Sequence, residues 1–230
     1  MDSVDSRSRQ QGRERSLDAR RRAALQLLAI LQRCYPQAHC ALSHGNPLEL
    51  LVATMLSAQC TDVRVNQVTP ALFAAYPDAA SLAAAELSTL ETLIHSTGFF
   101  RTKARNLKAM AEVLQNQYGG EVPRELDPLV ALPGVGRKTA NVVLGNAFAI
   151  PALVVDTHVG RLARRFGWAR AKQPQGVEAE LCALLPREHW TQTSHLLIFH
   201  GRQCCRSQRP LCSACPVGAL CPRIGVTRSR

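Results

Sequence analysis

Apolar residues recur along this chain at intervals of three and four, which is the spacing of one face of an α-helix. The clearest run consists of Ala104, Leu107, Ala111, Leu114 and Tyr118. It ends at Gly119-Gly120, and glycine is a common stop for a helix. Only residues 152–155 look like an extended segment. The sequence therefore predicts an all-α fold.

Capping residues predict where individual helices begin. Asn46-Pro47-Leu48-Glu49 combines an N-cap, a proline in the first turn and an acid at the third position. Ser88 and Glu91 have the spacing of a capping box for a short helix that stops at Gly98. Residues 1–18 are polar, charged and aperiodic, and we expect them to form a disordered basic tail.

The chain carries a large excess of positive charge. Its formal net charge is +11 and its pI is near 9.7, which favours a polyanionic partner such as nucleic acid over a plain surplus of surface cations. No apolar run is long enough for a membrane span, and the N-terminus lacks the apolar region of a secretory signal. We expect a soluble protein of a reducing compartment with no membrane partner.

Five of the nine cysteines fall between residues 204 and 221. An odd number of cysteines without a secretion signal makes a poor disulfide framework. Zinc sites usually pair two short Cys-x₂₋₄-Cys knuckles, whereas only one such pair occurs here. Four thiolates in one compact loop suit a [4Fe–4S] cluster better, with zinc and a cysteine-rich apolar core as the alternatives.

The segment Leu132-Pro-Gly-Val-Gly-Arg-Lys-Thr-Ala140 joins two apolar helices through a tight turn. Gly134 and Gly136 allow positive φ and a close approach of the backbone to another surface. The helix that follows points its unpaired N–H groups out of the turn, which is a way to hold a phosphate without reading base sequence. We favour phosphate binding by this turn and Arg137 over an ordinary helical hairpin.

Lys138 and Asp156 are the candidate catalytic residues. An amine nucleophile must lose a proton before it attacks, and Lys138 follows Arg137 at the positive end of a helix, where such loss is favoured. A lysine that only neutralises a phosphate fits these residues equally well. Asp156 can equally be the N-cap of the helix it precedes, although a capping carboxylate remains ionised and oriented.

The stretch 132–140 closely resembles the helix–hairpin–helix signature of the endonuclease III family of DNA glycosylases. Val155-Asp-Thr-His-Val159 resembles the second signature of that family. The resemblance extends over residues 19–222. It implies that Lys138 attacks the sugar C1′ and that Asp156 assists, in a base-excision enzyme that also cleaves abasic sites. It also places His158 near the base pocket.

The same resemblance assigns residues that fill the gap left by a flipped base. The stretch from Leu56 to Asp62 resembles the loop that inserts a glutamine, so Gln59 is expected in that role. Phe99 lies where the family has a second, usually aliphatic, wedge. The alternatives are an ordinary helix C-terminus at Gln59 and a core anchor at Phe99.

The cysteine spacing matches the iron–sulfur loop of this family. The resemblance selects four ligands, which are Cys205, Cys212, Cys215 and Cys221, and leaves Cys204 as a buried free thiol. The loop also carries Arg206 and Arg209, which we expect to contact the DNA backbone.

The resemblance further implies two helical domains that flank a DNA-binding cleft. Residues 40–150 would form a six-helix domain containing the hairpin, and residues 19–39 would join 151–230 in an iron–sulfur cluster domain. The expected partner is double-stranded DNA with a damaged base, an oxidised pyrimidine above all, or an abasic site. We expect a monomer in the bacterial cytoplasm, associated with the nucleoid. The rival functions are a monofunctional mismatch glycosylase and a non-catalytic DNA-binding redox module.

Overall fold

The chain folds into α-helices, as predicted. The computed structural model describes the backbone of residues 2–230 and the side chains of residues 16–230. No β-strand occurs in that part of the chain. The α-helices are α1 Asp2–Cys34, α2 Pro47–Leu56, α3 Asp62–Ala75, α4 Ala79–Ala84, α5 Leu87–Ile94, α6 Phe100–Tyr118, α7 Leu126–Ala131, α8 Arg137–Ala147, α9 Thr157–Arg165, α10 Pro174–Leu184 and α11 Trp190–Gln203.

The chain divides into two compact units. One consists of residues 40–152, and the other of residues 1–39 together with 153–230. Each unit has its own apolar core. Of the described helices, none is at once long enough and apolar enough to cross a lipid bilayer.

The unit of residues 40–152 contains α2 to α8, which makes seven α-helices where six were expected. Helix α2 is buried all round, since every residue from Leu50 to Leu56 is buried. The predicted cap of this helix is confirmed, because the side chain of Asn46 accepts a hydrogen bond from the N–H of Glu49 at 2.9 Å. Helix α6 packs on α4 and on α5 through the predicted apolar stripe. Of the candidate wedges, Gln59 lies three residues after the end of α2, and Phe99 occupies the N-cap position of α6.

Helix α5 differs from its prediction. Ser88 is not its N-cap, because the helix begins at Leu87 and Glu86 occupies the cap position without a side-chain hydrogen bond. Starting there lets Leu87 pack against the core together with the fully buried Leu90. The start of this helix is therefore set by the packing of its apolar face and not by the predicted capping box.

The unit of residues 1–39 and 153–230 is built on α1, α9, α10 and α11. Helix α1 buries Ala24, Leu27, Leu28 and Leu31, which lie at helical spacing on one face. The helix differs from the prediction at its start, because residues 2–18 continue it as helix instead of forming a disordered tail. Arginine, glutamine and glutamate favour helix, and no proline interrupts this stretch, so the backbone extends beyond the apolar stripe. Met1 lies outside the described residues.

Candidate active site and metal centre

The turn between α7 and α8 contains two glycines, and contacts within the protein explain only one of them. Gly134 has φ +74°, and a Cβ at this position would come within 2.8 Å of the Asn106 side chain. Gly136, by contrast, has φ −90° and faces open space, so any residue would fit there. A glycine at 136 therefore keeps the backbone open to a surface from outside the chain.

Helix α8 begins immediately after this turn and has no side-chain cap. Gly136 is its N-cap residue, and Ala140, which is fully buried, donates its N–H to the Gly136 carbonyl at 3.0 Å. Arg137 and Lys138 lie on the first turn with exposed side chains. A helix N-terminus flanked by two cations attracts anions.

Asp156 lies at the start of α9, at the end of a buried extended segment. The backbone N–H of Val154 donates to the Ser194 hydroxyl at 2.9 Å, which ties this segment to α11. The Oδ1 atom of Asp156 accepts a hydrogen bond from the N–H of Val159 at 2.8 Å. The predicted capping role is therefore confirmed. Lys138 and Asp156 belong to different units, and their approach to one another stays a prediction.

His158 is half-buried on the first turn of α9. Its Nδ1 lies 3.0 Å from the guanidinium of Arg161, which also donates to the carbonyls of Gly201 and Cys205 at 3.0 Å. A Cβ on Gly201 would come within 2.7 Å of His158, so a glycine is required where α11 meets this ring. The imidazole is thus held in place, and its role in a base pocket stays a prediction.

The two candidate wedges share an unusual backbone conformation. Gln59 has φ +53° and Phe99 has φ +49°, and both side chains are exposed. Phe99 is 65% exposed, which rules out a role as a core anchor. Such left-handed conformations are costly for residues other than glycine and often mark functional positions.

The clustered cysteines line one pocket of unit 1–39/153–230. Its cysteines are Cys204, Cys205, Cys212, Cys215 and Cys221. The side chains of His200, Cys204 and Cys215 place their donor atoms within 4.8 Å of one another, so this group could hold a metal ion. The structure thus brings the four predicted ligands to one pocket, and Cys204, which is buried as predicted, lines the same pocket.

Burial shapes the chemistry of these thiols. It raises the pKa of Cys204 to about 12 and also raises the pKa of Cys215 and of Cys221. The Cys205 sulfur accepts a hydrogen bond from the buried Arg165 guanidinium at 3.2 Å. Thiolates crowded into an apolar pocket become favourable when a metal cation compensates their charge.

The loop that follows Cys205 is anchored by its backbone. Arg165 donates to the carbonyls of Arg206 and Ser207 at 2.6 and 2.8 Å. The side chains of Arg206 and Arg209 are exposed. A fixed backbone with free cationic side chains suits contact with phosphates.

His200 was not identified from the sequence. It is fully buried, its Nδ1 lies 2.9 Å from the Tyr35 hydroxyl, and its Nε2 lies 3.6 Å from the Cys215 sulfur. Burial lowers the pKa of His200 to about 4 and raises the pKa of Tyr35 to about 12, so both groups are neutral at physiological pH. The signal available in the sequence was the position of His200 one helical turn before Cys204.

Comparison with known proteins decides the family. The sequence profile of the HhH-GPD superfamily of base excision DNA repair proteins matches residues 52–187. An endonuclease III from Synechocystis sp. is 48% identical over 209 residues, covering 90% of this chain and 95% of the relative. The Bacillus subtilis endonuclease III is 49% identical over 188 residues, covering 81% and 86%. The chain belongs to the endonuclease III family.

A solved endonuclease III supports the same assignment in three dimensions. Its structure, a trapped covalent intermediate with DNA in an estranged-adenine complex, has 46% sequence identity and a TM-score of 0.83. The superposition covers 88% of this chain and 96% of that one. As a member of the endonuclease III family, the chain is a base excision repair enzyme, a DNA glycosylase with abasic-site lyase activity.

Proposed function

We propose that Lys138 is the nucleophile with which this enzyme removes an oxidised pyrimidine from duplex DNA and then cleaves the strand. One observation carries the proposal: Lys138 is exposed on the first turn of an uncapped helix, directly after the open Gly136. The chain has four lysines, and two of them, Lys103 and Lys108, are engaged by backbone carbonyls. The fourth, Lys172, is exposed outside the hairpin.

The reaction begins with DNA held at the hairpin. Gly134, Gly136 and Arg137 hold a phosphate, Gln59 and Phe99 fill the gap left by the flipped nucleotide, and His158 lies near its base. A bond forms between Lys138 Nζ and C1′ while the glycosidic C1′–N bond breaks, and the base leaves with a proton. Asp156 stabilises the positive charge that develops on the sugar.

Strand cleavage follows from the lysine adduct. Opening of the sugar gives an iminium between Lys138 and C1′, and this electron sink makes a C2′ proton acidic. Loss of that proton to a base breaks the C3′–O bond by β-elimination. Asp156, which its cap hydrogen bond orients, is the group we assign to proton transfer in this part of the reaction.

For the cysteine pocket we propose a [4Fe–4S] cluster held by Cys205, Cys212, Cys215 and Cys221. The convergence of these thiols on one pocket and the Arg165 guanidinium beside the Cys205 sulfur support this ligand set. A bound cluster would supply a rigid cross-link of the loop that presents Arg206 and Arg209 to the DNA backbone. We also propose that the enzyme is a monomer in the bacterial cytoplasm, in keeping with its bacterial relatives.

Borohydride trapping on duplex DNA with an oxidised pyrimidine tests the nucleophile. We expect a covalent protein–DNA adduct with the natural chain and with Lys172→Ala, and none with Lys138→Ala. An adduct that survives Lys138→Ala overturns the assignment. Base release without any adduct identifies a monofunctional glycosylase, and salt-sensitive binding without base release or strand cleavage identifies a non-catalytic DNA-binding module.

A further inference from the structure

A buried lysine, Lys103, contacts the two segments that carry the candidate wedges. Lys103 lies on α6 and is only 8% exposed. Its ammonium donates to the carbonyl of Leu56 at 2.7 Å and to the carbonyl of Thr97 at 2.8 Å. Both acceptors are neutral, and burial lowers the pKa of this amine. Burying a cation whose two partners are neutral carbonyls costs free energy, so we expect this lysine to serve a specific role.

The two carbonyls belong to the segments that carry the wedges. Leu56 is the last residue of α2, three residues before Gln59. Thr97 ends the short 3-10 helix His95–Thr97, two residues before Phe99. A helix C-terminus leaves carbonyls without intrahelical partners and carries partial negative charge. One ammonium therefore satisfies the ends of two helices at once.

Lys103 is attached to the second wedge by its backbone as well. Its N–H donates to the Phe99 carbonyl at 3.0 Å. The left-handed conformations of Gln59 and Phe99 persist only where neighbouring contacts hold the chain. The contacts of Lys103 reach both segments within a few residues of the strained positions.

We infer that Lys103 is a positioning residue that holds the Gln59 and Phe99 segments at a fixed spacing, so that both side chains enter the duplex together. The inference rests on the proposed function of the two wedges. Misplacing a group by about 1 Å can slow an enzyme on the order of 100-fold, although the group itself is unchanged. Loss of Lys103 should accordingly impair base flipping while Gln59 and Phe99 are still present.

The same helix offers a matched control. Lys108 on α6 donates to the carbonyls of Ala83 and Ala85, both at 2.9 Å. Those carbonyls lie at the end of α4, which carries no candidate wedge. Lys108→Met thus removes the same kind of two-carbonyl bridge from the same helix without disturbing the wedge segments.

The experiment compares Lys103→Met with Lys108→Met in the full-length enzyme. The readouts are kcat and KM for base removal from duplex DNA, and the fluorescence of 2-aminopurine placed next to the lesion, which reports unstacking. We expect Lys103→Met to lower kcat/KM about 10- to 100-fold and to suppress the fluorescence rise. We expect Lys108→Met to leave both close to the natural enzyme. Equal effects of the two variants overturn the inference.

Further variants separate this inference from the proposed function. Gln59→Ala and Phe99→Ala must each lower duplex processing; if neither does, the wedge roles themselves are wrong, whatever Lys103 does. If they do, adding Lys103→Met to the Gln59→Ala, Phe99→Ala double variant should cause little further loss of kcat/KM, whereas a full additional loss contradicts the positioning role.

Should Lys103→Met fail to fold, Lys103→Arg keeps a charged donor. We expect Lys103→Arg to fold and to lower kcat/KM by less than 10-fold. If Lys103→Arg lowers only the free energy of unfolding and leaves kcat/KM unchanged, the inference is contradicted.

Discussion

The Oδ1 atom of Asp156 accepts a hydrogen bond from the backbone N–H of Val159 at 2.8 Å. The cap engages one carboxylate oxygen and fixes the side chain at the N-terminus of α9, where a negative charge is favoured. The residue proposed to assist the reaction is therefore also a structural cap, and its two roles require separate tests.

Asp156→Asn separates them, because asparagine caps helices about as well as aspartate but carries no charge. We expect the free energy of unfolding to change by less than about 0.5 kcal/mol, while base release and strand cleavage fall at least 100-fold. Denaturant unfolding and single-turnover assays measure the two quantities. Asp156→Ala should cost about 1 kcal/mol in addition, through loss of the cap. Full activity of Asp156→Asn would show that capping is the only role of this residue.

Local sequence patterns predicted much of this fold. The stripe along α6 and the cap at Asn46 follow from helical spacing and cap chemistry, and both are confirmed. The Ser88 capping box was wrong because the packing of Leu87 moved the start of α5. Local pattern alone does not weigh such tertiary contacts.

Buried cations were the main feature that the sequence analysis missed. Lys103 and Arg165 are both nearly enclosed, yet a charged residue on a helix is ordinarily assigned to the solvent face. A signal existed for Lys103, which continues a helical spacing with Phe100, Leu107 and Met110. Lys103 binds the Leu56 carbonyl 47 residues away, and Arg165 binds the carbonyls of Arg206 and Ser207, so these acceptors are distant in sequence and no local pattern identifies them.

We expect Phe99 to lower the free energy of unfolding while it supports the processing of duplex DNA. Its left-handed backbone costs about 1 kcal/mol or more for a phenylalanine, and its exposed ring contributes little packing. Phe99→Asn, which tolerates this conformation, should leave the free energy of unfolding unchanged or raise it by up to about 1 kcal/mol. The same variant should process duplex DNA at least 10-fold more slowly, because no ring replaces the flipped base. A clear loss of stability in thermal unfolding would mean that the ring has a packing role.

Arg206 is expected to contact a phosphate through its side chain alone. Arg165 holds the Arg206 carbonyl, so Arg206→Ala should leave the loop backbone in place. DNA binding should then weaken to a similar degree on every sequence, and the slope of log K against log salt should fall by about one. Fluorescence anisotropy across a salt series measures both effects. An unchanged slope would place this side chain away from the DNA backbone.

Acid should destabilise the unit that contains His195. Burial, with a smaller contribution from His39, lowers the pKa of His195 from 6.5 to about 4. As the pH falls, His195 therefore binds a proton in the unfolded state before it does so in the folded state. The contribution of neutral His195 to the free energy of unfolding is complete above about pH 6.5 and is lost as the pH falls towards 4. The full effect amounts to about 3 kcal/mol.

His195→Gln removes this titration, and the free energy of unfolding of the variant should fall less steeply between pH 6.5 and pH 4. Denaturant unfolding at a series of pH values gives the two curves. His95→Gln alters an exposed histidine of the other unit and should reproduce the natural curve. Parallel curves for His195→Gln and the natural chain would assign the acid sensitivity elsewhere.

Cys204 and Cys205 are adjacent, and both line the cysteine pocket, so their comparison tests the proposed ligand set. Cys205→Ser removes a proposed ligand and should abolish the visible absorbance and stoichiometric iron of the purified protein. The melting temperature should fall with them, because a bound cluster stabilises only the folded state. Cys204→Ser should keep the iron and the absorbance, since this sulfur lies 3.6 Å from the Leu211 carbonyl and is not among the proposed ligands. If Cys204→Ser loses the iron and Cys205→Ser keeps it, the first ligand is Cys204, next to His200 and Cys215 in the group whose donor atoms lie within 4.8 Å of one another.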